Sequence, residues 1–395
     1  MQQPYLYSLA TVLKCSNCNK PYPISEPVNV SPCCNQPLLV EYDQQATFSK
    51  DDLIGRENNL WRYFEMLPVK DPANIISLGE GFTPVLPLKK LSDKYGFSSL
   101  LMKDESHNPT GSFKARGISV AISKAKELGI KKFIIPTAGN AGGALAAYCA
   151  KAGMECIVIM PTHTPDVFKT ECELHGAKLV TVQGLINDCA KKANEINANN
   201  EYFNISTLKE PYRLEGKKTM GYEIAEQLNW ELPDVIVYPA GGGTGLIGIW
   251  KAFSEMLQLG WIKGPLPKMI AVQSANCAPI KVALQYPDNW EEKFIPKSSI
   301  ANGLAVPFPF GMNLIKKAIA ESNGEVVTVT EKEIMDGIGE IAKTEGIFVS
   351  PEGSATWKAL AYLKQKGSIK DKNSILLLNT ASGYKYMENL RKEIL

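Results

Sequence analysis

The sequence predicts an α/β protein with two domains, each built on an open sheet of parallel strands flanked by helices, and a small N-terminal β appendage that contains cysteines. Three observations support this fold class. The chain has 395 residues, which exceeds one simple core. From residue 100 onward, apolar runs alternate with small-residue turns and amphipathic stretches, as in parallel sheets covered by helices on both faces. Four cysteines cluster before residue 45.

Composition and charge limit the classes of function. Hydrophobic residues make up 45% of the chain and charged residues 21%, as in ordinary globular proteins. The formal net charge of +2 gives no long-range attraction to nucleic acid or to an anionic membrane. The apolar runs are far shorter than the roughly 20 residues of a membrane span, and the N-terminus lacks the pattern of a signal peptide. Dispersed cysteines favour a reducing compartment, so we expect a cytoplasmic protein with a small-molecule substrate.

The predicted elements follow one another in a regular order. The N-terminal appendage has two strand-like runs, LATVLKC and LLVEYD, and residues 51–66 read as helical and polar. Seven later runs have the character of buried strands: SLLMKDE, KKFIIPT, MECIVIMP, AKLVTVQG, PDVIVYPA, KMIAVQSA and SILLLNT. Three of them lead into turns of small residues at 109–112, 138–142 and 241–245. Ligands of such sheets bind beyond the carboxyl ends of the strands, where these turns lie.

The turn GGGTG, Gly241–Gly245, suits a phosphate because it presents backbone N–H groups at the start of a helix. No lysine follows in the position of a nucleotide-binding P-loop, and the spacing is not G-x-G-x-x-G. A tight strand-to-helix turn without a ligand is the alternative interpretation.

Three further positions suit a carbonyl-bearing ligand. The turn that contains Asn140 offers N–H groups to a carboxylate and an amide to an oxygen. Lys114 stands at the start of a helix, where a lysine could react with a carbonyl. Thr380 follows a buried strand, where its hydroxyl could bond a ring nitrogen. Taken singly, a helix cap, a solvated lysine and a strand-end cap explain these positions better than a ligand does.

Together, a Schiff-base lysine, a phosphate turn, a carboxylate turn and a terminal hydroxyl are the groups that hold pyridoxal phosphate with an amino acid. The chain resembles the fold-type II (tryptophan synthase β-like) pyridoxal phosphate enzymes, and within them the threonine synthases. The resemblance covers roughly residues 75 to 390 and is carried, in order, by GEGFTP, LMKDESHNPTGSFKARG, PTAGNAGGALAAYCA, PYRLEGKKTMGYEI, PAGGGTG, SPEGSAT and NTASGYK. It implies a large cofactor-binding domain at 46–120 and 213–395, a smaller inserted domain at 121–212, and a homodimer.

The resemblance also implies the roles of the site residues. Lys114 would form the Schiff base with the cofactor and move protons. The other implied contacts are Phe113 beside the cofactor ring, Asn140 at its ring oxygen, Thr380 at its ring nitrogen, Gly241, Gly242, Gly243, Thr244 and Gly245 at its phosphate, and Ala138, Gly139, Asn140 and Ala141 at the substrate carboxylate. A hydroxyl at the ring nitrogen makes a weaker electron sink than a carboxylate would, which favours elimination and replacement over transamination.

For a threonine synthase the implied reaction converts O-phosphohomoserine and water to threonine and phosphate. This lyase reaction needs a second anion site, for the phosphate of the substrate. Arg213 matches the arginine that serves this phosphate in the family, and Ser206 is a nearby candidate. Lys217 and Lys218 are further candidates, although we expect both lysines to lie on a solvated helix face.

Departures from the family pattern leave other substrates open. Ala115 follows the reactive lysine where threonine synthases usually have aspartate, so that the stretch KARG is closer to the serine/threonine dehydratases. Ser382 stands where the family often has histidine. NISTLKE also lacks the usual asparagine-rich form. The alternatives are therefore a dehydratase, a cysteate synthase-like replacement enzyme and, from another class, a non-catalytic amino-acid-binding paralogue, against which the presence of Lys114 argues.

The N-terminal cysteines resemble a zinc ribbon. Cys15 and Cys18 have the spacing of a zinc knuckle, but Cys33 and Cys34 are adjacent, which makes chelation of one metal awkward. We therefore expect a metal-free remnant stabilised by its strands, with a zinc site as the alternative. A nucleic-acid-binding module is not expected, because the segment lacks a basic and aromatic surface.

Overall fold

The computed structural model describes residues 7–43 and 48–394. Residues 1–6 and 44–45 of the predicted appendage, residues 46–47 of the predicted large domain, and Leu395 lie outside the described residues.

Strands and helices alternate along most of the chain. The strands are β1 (Ala10–Cys15), β2 (Pro21–Tyr22), β3 (Leu38–Tyr42), β4 (Val85–Pro87), β5 (Ser99–Asp104), β6 (Lys132–Pro136), β7 (Glu155–Pro161), β8 (Lys178–Val182), β9 (Phe203–Asn204), β10 (Val235–Pro239), β11 (Lys268–Ser274), β12 (Glu325–Val329) and β13 (Ser374–Asn379). The α-helices are α1 (Lys89–Tyr95), α2 (Lys114–Glu127), α3 (Asn140–Ala152), α4 (Asp166–Leu174), α5 (Ile186–Ile196), α6 (Tyr212–Gln227), α7 (Thr244–Gln258), α8 (Pro279–Gln285), α9 (Trp290–Lys293), α10 (Met312–Glu321), α11 (Glu331–Glu345), α12 (Pro351–Lys366) and α13 (Met387–Ile394). All seven later strands predicted from the sequence are confirmed.

The chain forms two compact units. The first comprises Met1–Phe82, Lys114–Tyr222 and Ser254–Trp261, and the second comprises Thr83–Phe113, Glu223–Phe253 and Ile262–Leu395. The domain limits expected from the sequence, at 121 and 212, remain a prediction.

The second unit contains a six-stranded sheet in the order β12-β11-β10-β13-β5-β4. Its strands are parallel except for β4, which pairs antiparallel with β5 at the edge. The last strand in the sequence, β13, lies between β10 and β5, so the carboxyl ends of these three strands are neighbours. Such a change of strand order is where open α/β sheets bind ligands.

The first unit contains a parallel four-stranded sheet in the order β8-β7-β6-β9. Ile134 of β6 and Ile157 and Ile159 of β7 are buried against Cys189 and Ala193 of α5. Because β6 and β9 are parallel neighbours, the turn after β6 and the segment after β9 leave the same edge of the sheet.

The N-terminal segment of the first unit is an antiparallel three-stranded sheet in the order β2-β1-β3. Both strand-like runs predicted there are confirmed as β1 and β3. Their buried side chains include Leu13, Leu38 and Val40.

The prediction of a polar helix over 51–66 was wrong. The segment forms two 3₁₀ helices, Lys50–Leu53 and Leu60–Met66, and every residue of the second is buried. Burial is tolerated because the charges are paired: the guanidinium of Arg56 donates to both carboxylate oxygens of Glu65, at 2.7 and 2.8 Å. None of the helices described is long and apolar enough to cross a membrane.

Candidate active site

In the second unit, the turn after β10 leads directly into α7, which begins at Thr244. The first N–H groups of a helix have no partner within the helix and form an anion site. Gly243 has a φ of +69°, and a Cβ atom there would lie 2.3 Å from Ile315. The position therefore admits only glycine. The turn has the backbone and the small residues that a phosphate group requires.

Phe113 and Thr380 lie together in the second unit. The N–H group of Phe113 donates to the carbonyl of Thr380 at 3.0 Å. The buried Phe113 ring packs edge-on against Tyr238 of β10, with a centroid distance of 6.4 Å. Thr380 is also buried, directly after β13. The structure thus brings Phe113 and Thr380 to the end of β10, where the glycine turn begins.

Thr110 is a candidate site residue that sequence reasoning did not single out. It adopts a left-handed conformation, with φ +60° and ψ 19°, which is rare for a β-branched residue. Its Oγ1 atom is buried and has no hydrogen-bond partner among the described residues. Such strain is typical of functional segments. The sequence feature that could have identified Thr110 is its position between Pro109 and Gly111, four residues before Lys114.

In the first unit, Lys114 opens α2 and is half-buried. The start of this helix lies against the start of α6. A Cβ atom on Gly117 would lie 2.7 Å from the carbonyl oxygen of Arg213, and one on Gly216 would lie 2.1 Å from the carbonyl oxygen of Arg116. Glycines therefore allow the two helices to approach closely, and they set Lys114 beside the first turn of α6.

The predicted carboxylate turn lies between β6 and α3. Asn140 is the first residue of α3, and the N–H group of Gly139 donates to the Thr137 hydroxyl at 3.2 Å. Ala138 and Ala141 complete the turn. At the same edge of the sheet, Ser206 follows β9, and its hydroxyl donates to Asn204 Oδ1 at 2.6 Å. The structure thus places Ser206 and the turn on neighbouring strand ends.

Arg213 is fully buried in the first unit. Its Nη1 atom donates to the carbonyl of Ile205 at 2.6 Å. Its Nε and Nη2 atoms are also buried, and neither has a hydrogen-bond partner among the described residues. Burial lowers the pKa of this guanidinium, but arginine stays charged in proteins. Buried N–H groups without acceptors are costly, so Arg213 is a candidate for binding an anionic ligand.

Two more titratable groups lie beside Arg213. Burial, Arg213 and Lys114, in that order, hold the pKa of Lys217 well below its usual range. Burial raises the pKa of the Glu210 carboxyl to about 7, although it accepts the N–H groups of Tyr212 and Arg213 at 2.8 and 2.9 Å. Sequence reasoning missed Glu210. The cluster gains positive charge when Lys217 and Glu210 take up protons.

The expectation that Lys217 and Lys218 are solvated was wrong, since both are buried. The first three turns of α6 have no exposed side. Lys218 is neutralised by Glu215 at 2.7 Å and Glu255 at 3.0 Å. It is therefore a structural residue, whereas Lys217 remains a candidate for the substrate phosphate.

Each unit, taken by itself, contains groups of the kind that hold pyridoxal phosphate. The first unit supplies a half-buried amine, Lys114, and the second supplies a phosphate turn at a helix start and a buried hydroxyl residue at a strand end.

Comparisons with known proteins agree with this fit. The family described as "Pyridoxal-phosphate dependent enzyme" matches residues 76–381. The chain is 32% identical to the threonine synthase of Methanocaldococcus jannaschii, over 94% of this chain and 92% of that protein. It is also 32% identical to the threonine synthase of Methanosarcina acetivorans, over 93% of this chain and 90% of that protein.

Solved structures share the fold. Diaminopropionate ammonia lyase from Escherichia coli aligns with a TM-score of 0.67 at 18% identity, over 80% of this chain and 89% of that one. O-ureido-L-serine synthase aligns with a TM-score of 0.65 at 21% identity, over 79% and 93%. The chain belongs to the pyridoxal-phosphate dependent enzymes, as a threonine synthase-like lyase whose cofactor is pyridoxal phosphate.

Proposed function

We propose that the protein converts O-phosphohomoserine and water to threonine and phosphate. The observation that carries this proposal is Arg213, a buried guanidinium with two N–H-bearing nitrogens that lack acceptors among the described residues. A phosphate group accepts such paired donors well. In this proposal the turn at Gly241–Gly245 takes the cofactor phosphate, which leaves Arg213 for a second phosphate. The relatives named threonine synthase support the same choice.

Each residue of the first unit has a role in this proposal. The turn at Ala138–Ala141 holds the substrate carboxylate through its N–H groups, and Asn140 orients the ring oxygen of the cofactor. Arg213 holds the substrate phosphate. Lys217 adds a second positive charge when the dianion is present. Ser206 lies at the next strand end and lines the same side of the sheet.

In the second unit, Gly241–Gly245 would hold the cofactor phosphate. Phe113 would pack on the ring, and Thr380 would bond its nitrogen. When bound, pyridoxal phosphate withdraws electrons from the Cα atom of the amino acid. A threonine hydroxyl does not keep the ring nitrogen protonated, which favours elimination and replacement.

Lys114 performs the proton transfers in this proposal. Its Nζ atom takes a proton from Cα and later one from Cβ of the substrate. Phosphate leaves from Cγ while Arg213 and Lys217 hold its charge, and Cγ receives a proton to become the methyl group. Water then adds its hydroxyl at Cβ, and Cα regains a proton. The sum is the loss of phosphate and the gain of water.

The test is product analysis with the pyridoxal phosphate-loaded protein and O-phosphohomoserine. We expect equal amounts of phosphate and threonine, and no product from Lys114→Ala. Three parallel assays address the alternatives. Keto acid from serine or threonine would indicate a dehydratase, and replacement of the phosphate of phosphoserine would indicate a cysteate synthase-like enzyme. A protein that stays colourless with the cofactor would indicate a non-catalytic paralogue. The implied homodimer is tested by sedimentation of the same sample.

A further inference from the structure

The N-terminal cysteines form a compact group of sulfur atoms. The Sγ atoms of Cys15, Cys18, Cys33 and Cys34 all lie within 4.8 Å of one another. The Sγ atoms of Cys18 and Cys33 lie 3.3 Å apart. All four are free thiols. Four sulfurs held by one zinc ion at bonds of about 2.3 Å are about 3.8 Å apart, so the group already has the dimensions of a tetrathiolate site.

The first pair of cysteines lies in a turn that closes on itself. The N–H group of Cys15 donates to the carbonyl of Lys20 at 3.0 Å, and the N–H group of Asn19 donates to the carbonyl of Cys15 at 3.0 Å. Asn19 is left-handed, with a φ of +60°. Cys15 and Cys18 are thereby turned to one side of the loop.

The second pair lies in a turn of the same construction. The N–H group of Ser31 donates to the carbonyl of Gln36 at 2.9 Å, and that of Asn35 donates to Ser31 at 2.8 Å. Asn35 is left-handed, with a φ of +50°. Ser31 thus occupies the place that a first cysteine would take. Cys34 occupies the place of the second, and the neighbouring Cys33 supplies the missing sulfur.

The two matching turns thus allow adjacent cysteines to bind one metal ion, and polar groups surround the sulfur atoms. The Ser31 hydroxyl accepts a hydrogen bond from Cys15 at 3.2 Å. The side-chain amide of Asn17 is 3.5 Å from Cys34 Sγ, and its backbone N–H donates to Cys15 Sγ at 3.4 Å. Donors directed at sulfur stabilise thiolates, the form that binds metals.

We propose that Cys15, Cys18, Cys33 and Cys34 bind one Zn²⁺ ion, contrary to our expectation of a metal-free remnant. Four sulfur ligands select zinc or iron. Pyridoxal phosphate chemistry transfers no single electrons, so the redox-inactive ion suits this protein. Binding releases the thiol protons and joins the two turns.

The chain between the two cysteine turns contacts the segment that precedes Arg213. Asn29 lies between them in sequence, and its Nδ2 atom donates to the carbonyls of Asn204 and Lys209 at 2.6 and 2.9 Å. All these residues belong to the first compact unit. We infer that zinc fixes Asn29 and that Asn29 positions the segment leading to Arg213. The consequence for catalysis rests on the function proposed above, whereas the zinc site does not.

The first test is metal analysis of the full-length protein purified from zinc-supplemented cells. We expect one zinc per chain and, by X-ray absorption, four sulfur neighbours at about 2.3 Å. Bound iron, zinc with fewer than four sulfurs, no metal, or a Cys18–Cys33 disulfide detected by mass spectrometry would each overturn the proposal. This measurement uses the unaltered chain and does not depend on whether a variant folds.

The second test compares Cys34→Ser with Cys156→Ser, a buried cysteine outside the cluster. Cys34→Ser should lose most of the zinc, and Cys156→Ser should keep it. The backbone amide hydrogens of residues 203–209 should exchange about tenfold faster in the zinc-depleted protein, because the local structure opens more often. Unchanged exchange there would overturn the positioning role.

The effect on catalysis is measured separately in the zinc-depleted protein. A higher KM for O-phosphohomoserine with an unchanged cofactor absorbance is expected. If no phosphorylated substrate is turned over by the zinc-loaded protein, the proposed function fails, while the metal and exchange measurements still decide the zinc site.

Discussion

Two adjacent lysines on α6 have opposite environments. Lys218 lies between two carboxylates, with Glu215 and Glu255 at 2.7 and 3.0 Å. Lys217 is equally buried but lies beside Arg213, which carries the same charge. Burial and the neighbouring charges of Arg213 and Lys114 disfavour the protonated amine of Lys217 more than Glu210 favours it. A bound anion would offset the positive charges of Lys217 and Arg213.

Substitution of the two lysines separates these roles. Lys217→Met should lower kcat/KM for O-phosphohomoserine by about 30-fold or more, since a buried charge contact with a ligand is worth about 2 kcal/mol or more. Its Tm should fall by less than that of Lys218→Met, because burial and like charges already disfavour the charged form of Lys217. Lys218→Met is the matched control. It should lower the Tm, because breaking a buried ion pair costs about 3–5 kcal/mol, and it should keep its activity below that temperature. The reverse pattern would contradict the assignment.

The affinity of the Arg213 site for an anion should depend on pH. The pKa of Glu210 is raised to about 7 by burial. Below that pH the carboxyl is neutral, and above it the negative charge competes with a bound anion for Arg213. The lowered pKa of Lys217 acts in the same direction, because protonation at lower pH adds positive charge. Anion binding is therefore coupled to proton uptake and weakens as the pH rises.

Sulfate is the suitable probe, since its charge is constant across the range. Calorimetry between about pH 6 and about pH 8 should show the association constant falling by up to about tenfold per pH unit above the carboxyl pKa. Glu210→Gln keeps an acceptor for the N–H groups and should flatten this dependence. Glu173→Gln, an exposed position, should not. Sulfate affinity that rises with pH would contradict the electrostatic account.

The sequence predicted the residues whose chemistry is local. Lys114 and Arg213 stand in recognisable segments, and their roles at the site remain predictions. The sequence did not predict the burial of Lys217, because the charged run EGKK is also typical of a solvated helix face. Glu210 and Thr110 were missed for another reason. Their importance lies in burial and backbone conformation, which depend on neighbours distant in sequence.

At the scale of elements, the contact between α2 and α6 fixes the active residues of the first unit. Gly117 and Gly216 face the carbonyl groups of the opposite helix. Arg116 donates to the Thr219 hydroxyl at 3.0 Å across the same contact. Close backbone approach therefore holds the helix start that carries Lys114 against the turn that carries Arg213.

Gly216→Ala should disturb this contact. The added Cβ atom would lie 2.1 Å from a backbone oxygen, so the helices must separate, at a cost of about 1–3 kcal/mol. We expect a lower midpoint of urea unfolding and a lower kcat/KM. Gly339→Ala in α11 is the control, because no atom lies within 4 Å of its added Cβ, and it should stabilise by about 1 kcal/mol. Equal stability of the two variants would show that α2 and α6 do not require the glycine.

The apolar runs predicted their strands because a buried parallel strand needs a continuous apolar sequence. The two-residue strands β2 and β9 were not predicted, since so short a run has no period. The 3₁₀ helix Leu60–Met66 was misread because its polar residues are buried as partners of other polar groups. The convergence of Cys33 and Cys34 with Cys15 depends on matched turns, and spacing alone argued against it.

At the scale of the whole molecule, residues with assigned roles occur in both compact units. The first contains Lys114, Asn140 and Arg213, and the second contains the glycine turn and Thr380. Under the proposed function, the groups for proton transfer and for the substrate phosphate are residues of the first unit, and those for the cofactor phosphate are residues of the second. The proposed choice of substrate therefore depends on residues of the first unit.

The most direct test of this account is the ratio of kcat/KM for O-phosphohomoserine to that for O-acetylhomoserine, which has the same carbon skeleton but no phosphate. A site whose buried donors require the phosphate should prefer O-phosphohomoserine by about 10⁴-fold, with threonine as the product. A ratio near one, or turnover of neither ester alongside keto acid from threonine, would contradict the claim that Arg213 selects a phosphorylated substrate.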